Sequence, residues 1–285
     1  MPVTHLALAL AVVAVWGTNF VVIKWGLAEL PPFLLAALRF ALSSLPFLLF
    51  IHRPATPWWR LAAFGALLGA GQFGLLFLAM RADISPGLAS LVVQAQVFIT
   101  IALAGQRLKL AQAGALALAV AGMAWIGWQA RQGGAGVSLT GLFLVLGAAF
   151  CWSLANLVAR GAGRVDALGF MVWSSLFALP PLALMTLAFE GSPAQLAALA
   201  VAASPAAWAT VAWQAVGNTL FGYGVWNWLL ARHPPATVTP AALLVPVFGM
   251  GASTLAFGEG LPAWKLGAAG LVMAGLALNL WAASR

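Results

Sequence analysis

Ten stretches of uncharged, mostly apolar residues, each close to the roughly 20 that a helix needs to cross the hydrocarbon core of a bilayer, divide the 285 residues of this chain. Only 6% of the residues are charged and 64% are hydrophobic, so a water-soluble globule would lack the polar surface to stay dispersed. The lipid bilayer is therefore the expected solvent. Ten spans leave only short connections, and function must sit inside the helical bundle. The formal net charge of +8 does not point to nucleic acid, because the basic residues are scattered singly along loops. The lone cysteine, Cys151, falls inside an apolar run and has no partner for an internal disulfide. The first run, from about Leu6 to Ile23, is too long for a signal peptide and has no basic segment before it.

The expected helices lie near residues 5–25, 33–51, 60–80, 86–104, 111–129, 139–160, 168–188, 206–231, 237–256 and 264–283. Helices are required because lipid offers no partner to backbone polar groups, and the runs lack the period of two expected of barrel strands. Pro31-Pro32, Pro54, Pro57, Pro86, Gly133-Gly134, Pro193, Pro205, Pro234-Pro235 and Pro262 punctuate the boundaries. With both termini cytoplasmic, Arg53, Arg60, Arg107, Lys109, Arg160, Arg164, Arg232 and Arg285 lie inside and Lys24, Arg81, Arg131 and Lys265 outside. This excess of inner basic residues favours that orientation.

The run from Trp16 to Lys24 (WGTNFVVIK) returns as Trp152 to Arg160 (WSLANLVAR), pairing Trp with Trp and Lys with Arg. Leu88–Phe98 likewise aligns with Val238–Phe248, and Gly105–Trp125 with Gly258–Leu278. Two repeats follow, residues 1–135 and 136–285, each of five helices. An odd number of spans forces the second repeat into the membrane with opposite polarity, the inverted arrangement of many secondary transporters. The expected fold class is an all-α membrane protein of ten transmembrane helices in two inverted five-helix repeats.

WGTNFVVIKWGL near the start, PPFLLAALRF opening the second helix, GLASLVVQAQ in the fourth and LLVPVFGM in the ninth resemble the EamA group of the drug/metabolite transporter superfamily, in particular its O-acetylserine/cysteine exporters. The likeness covers nearly the whole chain. It implies an inner-membrane exporter whose central cavity is lined by the first, third, fourth, sixth, eighth and ninth helices, the other four being more peripheral. One departure stands out: the group's Gly-Glu-Arg-Leu-like signature reads Gly105-Gln106-Arg107-Leu108 here, with about one helical turn missing ahead of it. The second half keeps Gly258-Glu259.

Polar residues within the spans nominate the site. Trp16, Asn19, Phe20 and Lys24 fall on one face of the first helix, and Trp152, Asn156 and Arg160 form their counterpart on the sixth. An amide both donates and accepts, and an indole offers apolar area and a cation-binding ring, so these faces suit an amino-acid-like solute. The bland reading is that each Asn bonds a neighbouring helix. Lys24 and Arg160 stand near opposite mouths, either guiding anionic solutes or anchoring helix ends. Arg39 lies two turns into the second helix, roughly 10 Å from Pro32 at 1.5 Å per residue, and needs a partner, for which Glu29 is the candidate. Gln94 and Gln96 should face nearly opposite ways on a regular helix, with Gln96 towards the cavity. Gln96 aligns with Pro246, expected to bend the ninth helix. Gln72, Asn218, Tyr223 and Trp226 complete the expected lining. Gly65 and Gly69 read as close helix packing.

All five carboxylates fall in loops or at span ends, and His5, His52 and His233 lie near interfaces, so exchange or facilitated diffusion is favoured over proton coupling. No motif of an intramembrane enzyme, metal site or cofactor can be assembled from the spans. The expected partner is a small-molecule substrate, with cysteine or O-acetylserine implied by the resemblance; other small amphiphilic metabolites or drugs are the alternative, and a passive channel the weaker rival. Oligomeric state is left open. Impermeant thiol reagents applied to intact cells should fail to reach cysteines introduced at either terminus; tails on opposite sides of the membrane would overturn the inverted arrangement.

Overall fold

The computed structural model describes residues 1–105, 110–133, 136–163, 165–233 and 235–283. Gln106, Arg107, Leu108, Lys109, Gly134, Arg164, Pro234 and Arg285 lie outside the described residues. Regular structure among the described residues is helical, apart from one antiparallel bridge between Ile84 and Val137. The helices are α1 (Val3–Gly26), α2 (Pro32–Ser44), α3 (Trp58–Ala82), α4 (Pro86–Leu103), α5 (Leu110–Arg131), α6 (Leu139–Gly161), α7 (Ala167–Phe189), α8 (Pro193–Ala202), α9 (205–232), α10 (Thr239–Phe257) and α11 (Ala263–Ala283).

Eight of these, α1, α3 to α7, α10 and α11, are long and apolar enough to cross a membrane. The outer faces carry exposed Leu10, Phe143, Leu184, Val201 and Leu255, which only lipid would solvate without cost. The chain is a multi-pass membrane protein. It departs from the sequence expectation in two places. The second helix stops at Ser44 after 13 residues instead of running to 51, because Pro46 has no N–H to continue the ladder; hydrogen-bonded turns carry the chain on to Ile51. An additional helix, α8, fills the connection before the eighth expected span. It is nucleated by a capping box between Ser192 and Gln195 with Pro193 in its first turn, and it meets α9 at 101°.

The helices pair in a regular pattern. α1 packs on α10, α6 on α4, α2 on α7 and α5 on α11. The α3–α7 approach is set by Gly65, where a Cβ would fall 2.1 Å from the Ser174 carbonyl oxygen. Helical irregularities recur too. π-helical stretches interrupt α3 at Leu67–Gly74 and α9 at Trp213–Phe221. Tight i→i−3 bonds interrupt α4, from Gln94 N–H to Leu91, Gln96 to Val93 and Val97 to Gln94, while α10 begins as a 3₁₀ helix at Thr239–Leu244. Gly105 after α4 and Gly258 after α10 share left-handed backbone, with φ of 64° and 65°.

The connections α1–α2, α3–α4, α5–α6, α7–α9 and α10–α11 gather at one end of the bundle, tied together by carboxylates. A helix N-terminus leaves N–H groups without intrahelical partners and carries partial positive charge, so an anion there is favourable. Glu190 accepts from the N–H of Phe33 and Leu34 (2.6 and 2.8 Å), capping α2 from across the bundle. Glu29 accepts from Ser204 N–H and Oγ (2.8 and 2.7 Å) at the start of α9, bonds that hold its carboxyl below the usual range. Asp83 accepts from Ser138 Oγ, the cap of α6, at 2.8 Å. Glu259 receives Ser85 Oγ and Gly87 N–H at the start of α4, Ser253 Oγ of α10, and Lys265 Nζ of α11 at 2.6 Å. Burial would raise the Glu259 pKa, but the Lys265, Ser253 and Ser85 bonds outweigh it and hold the group ionised below its ordinary range. Asp166 caps its own helix, α7.

Lys265 is 2% exposed and Glu259 12%. Removing one partner strands the other charge, so Glu259→Ala should cost about 3–5 kcal/mol in unfolding assays in detergent micelles, and Glu259→Ala combined with Lys265→Met distinctly less. The folded pKa is depressed, so this contribution is present above about pH 4.3, the ordinary glutamate value, and is lost as pH falls through the folded pKa.

Candidate functional site

A cavity of about 720 Å³ lies between α1, α3, α4, α6, α9 and α10. All ten cavity residues proposed from sequence line it: Trp16, Asn19 and Phe20 from α1, Gln72 from α3, Gln96 from α4, Trp152 and Asn156 from α6, and Asn218, Tyr223 and Trp226 from α9. Ala242 and Val245 complete the wall from α10. At one end the lining runs to Gly163 and Val165 in the α6–α7 connection. Towards the carboxylate end it stops at Ile23 and Leu76. Just beyond them Lys24 Nζ bonds the Met80 and Arg81 carbonyl oxygens at 2.8 and 3.0 Å, tying α1 to the end of α3.

Helix irregularities aim the polar groups. In the π-helical stretch of α9 the N–H of Gly222 bonds the Gly217 carbonyl, five residues back. The Asn218 carbonyl, which that N–H would occupy in an α-helix, instead accepts from Trp16 Nε1 at 3.3 Å. Gly222 also makes room for the ring, since a Cβ there would fall 2.3 Å from Trp16 Nε1. Trp16 then leans on Tyr223 and Trp226, with centroids 5.3 and 5.2 Å away, and the three form an aromatic wall.

On the opposite wall Asn156 Nδ2 donates to Gln96 Oε1 at 2.9 Å, while the Gln96 carbonyl accepts from Ser153 Oγ and Thr100 Oγ1 at 2.9 and 2.6 Å. Gln94 lines the cavity as well, which corrects the expectation that only Gln96 would. The tightened turn at Val93–Val97 advances nearer 120° than 100° per residue, so two residues spaced by two are no longer on opposed faces. Asn19 and Gln72 are 2% and 3% exposed, and the side-chain carbonyl oxygen of each has no hydrogen-bond partner among the described residues. The site thus combines neutral amides with aromatic faces. Among the described residues its lining includes no carboxylate and no histidine.

The other singled-out residues fall outside the cavity. Lys24 is engaged with α3 as above, and Arg160 sits exposed in the last turn of α6. The pairing of Arg39 with Glu29 is not found, because Glu29 caps α9 at the bundle end while Arg39 lies deeper, bonded to Thr219 Oγ1 and stacked on Phe73. Pro246 stands in the first turn of the α-helical part of α10, where a missing N–H costs little, directly after the 3₁₀ stretch that alters the helix there. Sequence reasoning missed the apolar lining of Phe64, Phe73, Phe170 and Met171. Phe170 and Met171 bring α7, a helix expected to be peripheral, into one mouth; nothing distinguishes such residues in sequence from lipid-facing ones. A second, more open depression of about 880 Å³ lies at the carboxylate end, beside Lys24, Asp83, Ser138 and Glu259, whose polar groups are already committed to one another or to backbone.

The model of the EamA-like transporter family matches residues 4–128 and 139–281. A probable amino-acid metabolite efflux pump of Salmonella typhimurium (strain LT2) is 38% identical over 282 residues, covering 96% of this chain and 94% of its own length. A protein of the same description from Escherichia coli (strain K12) is 36% identical with the same coverage. A crystal structure of a protein 20% identical to this one superposes over 100% of this chain and 99% of its own, with a TM-score of 0.59, a likeness of fold.

Cys151 is the only cysteine, so replacing it by Ala leaves a thiol-free background. In that background Ala159→Cys should react with a small impermeant thiol reagent applied from the α6–α7 side and be protected from the carboxylate side. Equal reaction from both sides would show a continuous pore.

Proposed function

The chain belongs to the EamA-like transporter family, and from that premise we propose that it exports small amino-acid-like metabolites, of the cysteine and O-acetylserine class, across the bacterial inner membrane by alternating access. The observation that carries this reading is the cavity of neutral amides and aromatic rings, reaching one end of the bundle and stopping short of the other. A zwitterion needs donors and acceptors without a fixed net charge, and the paired Asn156 and Gln96, with Asn19, Gln72 and Asn218, supply both. Trp16, Tyr223 and Trp226 offer faces for an ammonium group or an apolar side chain. The names of the relatives from Salmonella typhimurium and Escherichia coli, probable amino-acid metabolite efflux pumps, agree with this class.

We read the architecture as ten crossings in two inverted repeats, residues 1–135 and 136–285, with α2 and α9 among the spans and α8 an addition. Support comes from the π-helical stretch in the third helix of each repeat, the tightened backbone in the fourth, and the left-handed glycine that follows it. Arg53, Arg60, Arg160 and Arg232 belong to the end opposite the clustered carboxylates, an excess of basic residues that supports a cytoplasmic position for that end and for both termini. The cavity then faces inward, in position to load solute for export. With no carboxylate or histidine among the described lining residues, the solute's own gradient or exchange drives the cycle. The cavity volume lies in the range that accepts drug-sized ligands, so larger amphiphiles are a second reading, tested by the same panel.

In proteoliposomes, flux of radiolabelled cysteine or O-acetylserine should saturate and be stimulated by solute on the far side. Asn19→Ala and Asn156→Ala should each reduce it about three- to tenfold, the value of a hydrogen bond of roughly 0.5–1.5 kcal/mol. Flux that never saturates would replace the carrier by a channel, and variants that transport like the parent would remove the assigned site.

A further inference from the structure

Arg39 is fully buried two turns into α2, and no carboxylate lies within ion-pair distance of it among the described residues, where the Lys265–Glu259 pair is the single salt bridge. Its guanidinium carries five N–H donors. Nε and Nη2 both donate to one acceptor, Thr219 Oγ1, at 3.3 and 3.0 Å, and that hydroxyl donates in turn to the backbone carbonyl of Gln214 at 2.9 Å. Nη1 has no partner, and neither side-chain atom of the buried Gln214 has one. The remaining compensation is aromatic, with the guanidinium carbon 3.6 Å from the centroid of Phe73 and 5.2 Å from that of Phe40. A charge taken out of water without an anion and with a donor left empty is costly, and such groups inside membranes mark pathways for polar solutes.

The position of this cation relative to the cavity gives it a use. Phe73, on which it stacks, is a lining residue, and so is Asn218, next to Thr219. Both contacts lie on the π-helical stretches, Phe73 on that of α3 and Thr219 on that of α9. Such stretches hold a less common register that can revert to α, which turns the side chains they carry.

We propose that Arg39 is the receptor for the carboxylate of the transported solute, screened by the Phe73 ring in this conformation and uncovered when that ring turns aside. The proposal rests on the exporter reading above and adds the chemical group that is read. A carboxylate brought to Nη1 and Nη2 would supply the missing anion and the missing acceptor together, in the two-pronged geometry that guanidinium and carboxylate share. The ammonium group of the same solute would remain on the aromatic and amide side of the cavity.

Competition distinguishes the possibilities. Efflux of radiolabelled O-acetylserine from proteoliposomes is challenged with unlabelled cysteine, cysteine methyl ester and cysteamine, the last two lacking the carboxylate. The parent protein should be inhibited by cysteine about tenfold more strongly than by either of the others. Arg39→Gln should erase that difference while keeping inhibition by the ester, Arg39→Lys should keep part of it, and Phe73→Leu should strengthen inhibition by cysteine. Equal inhibition by all three compounds in the parent would overturn the proposal whether or not any variant folds. An Arg39→Gln protein weakened equally towards acid and ester would reduce Arg39 to a packing group. Absence of any saturable efflux would instead sink the exporter reading, and this inference with it.

Discussion

Helix N-termini are positive and short of acceptors, and this chain spends all of its carboxylates on them. Glu29, Asp83, Glu190 and Glu259 each bind at the start of a helix that follows a different loop, and Asp166 caps the helix it begins. In a bundle whose helices bury apolar faces as readily against lipid as against each other, hydrophobic burial fixes little about which ends meet. Directional bonds between carboxylates and N-terminal N–H or serine hydroxyl groups do fix it. Five connections are locked together at one end, and the cavity stops beneath them.

The interior of the bundle is organised by departures from the regular α-helix. A π-helical turn frees the Asn218 carbonyl for Trp16, and a tightened turn swings Gln94 to the same side as Gln96. Among the described residues both kinds of irregularity occur twice, once in each of the two repeats proposed above. Three of the four carry polar groups that line the cavity, namely Gln72, Asn218, and Gln94 with Gln96. Such interruptions are commonly found at hinges and functional sites, and here they carry groups that line the cavity.

Much of this was legible in sequence because hydropathy and side-chain chemistry act locally. The apolar runs marked the helices, and amide and indole positions at helical spacing marked residues that meet around one cavity. What escaped depended on backbone geometry or on distant partners. Regular periodicity predicted Gln94 and Gln96 on opposed faces and could not foresee the i→i−3 turn between them. Nearness in sequence suggested Glu29 for Arg39, whereas Glu29 is claimed by Ser204, 175 residues away in the chain. Some of the missed features did have a signal: Ser192-Pro193 is a capped helix start of the same kind as Ser85-Pro86 and Ser204-Pro205, and Pro46 marks the end of α2.

The capping of α2 by Glu190 has one more consequence. Burial holds this carboxyl above its usual range, only partly offset by the N–H groups of Phe33 and Leu34 and the charge of Arg81, whereas Glu29 and Glu259 are held below theirs. Of these three, Glu190 is the first to take up a proton as the adjoining medium acidifies, and it then surrenders one of its two acceptor sites. A carboxyl raised in the folded state holds that proton more tightly than the unfolded chain does, so mild acid on that side of the membrane would relieve a buried charge and steady the joint between α7 and α2.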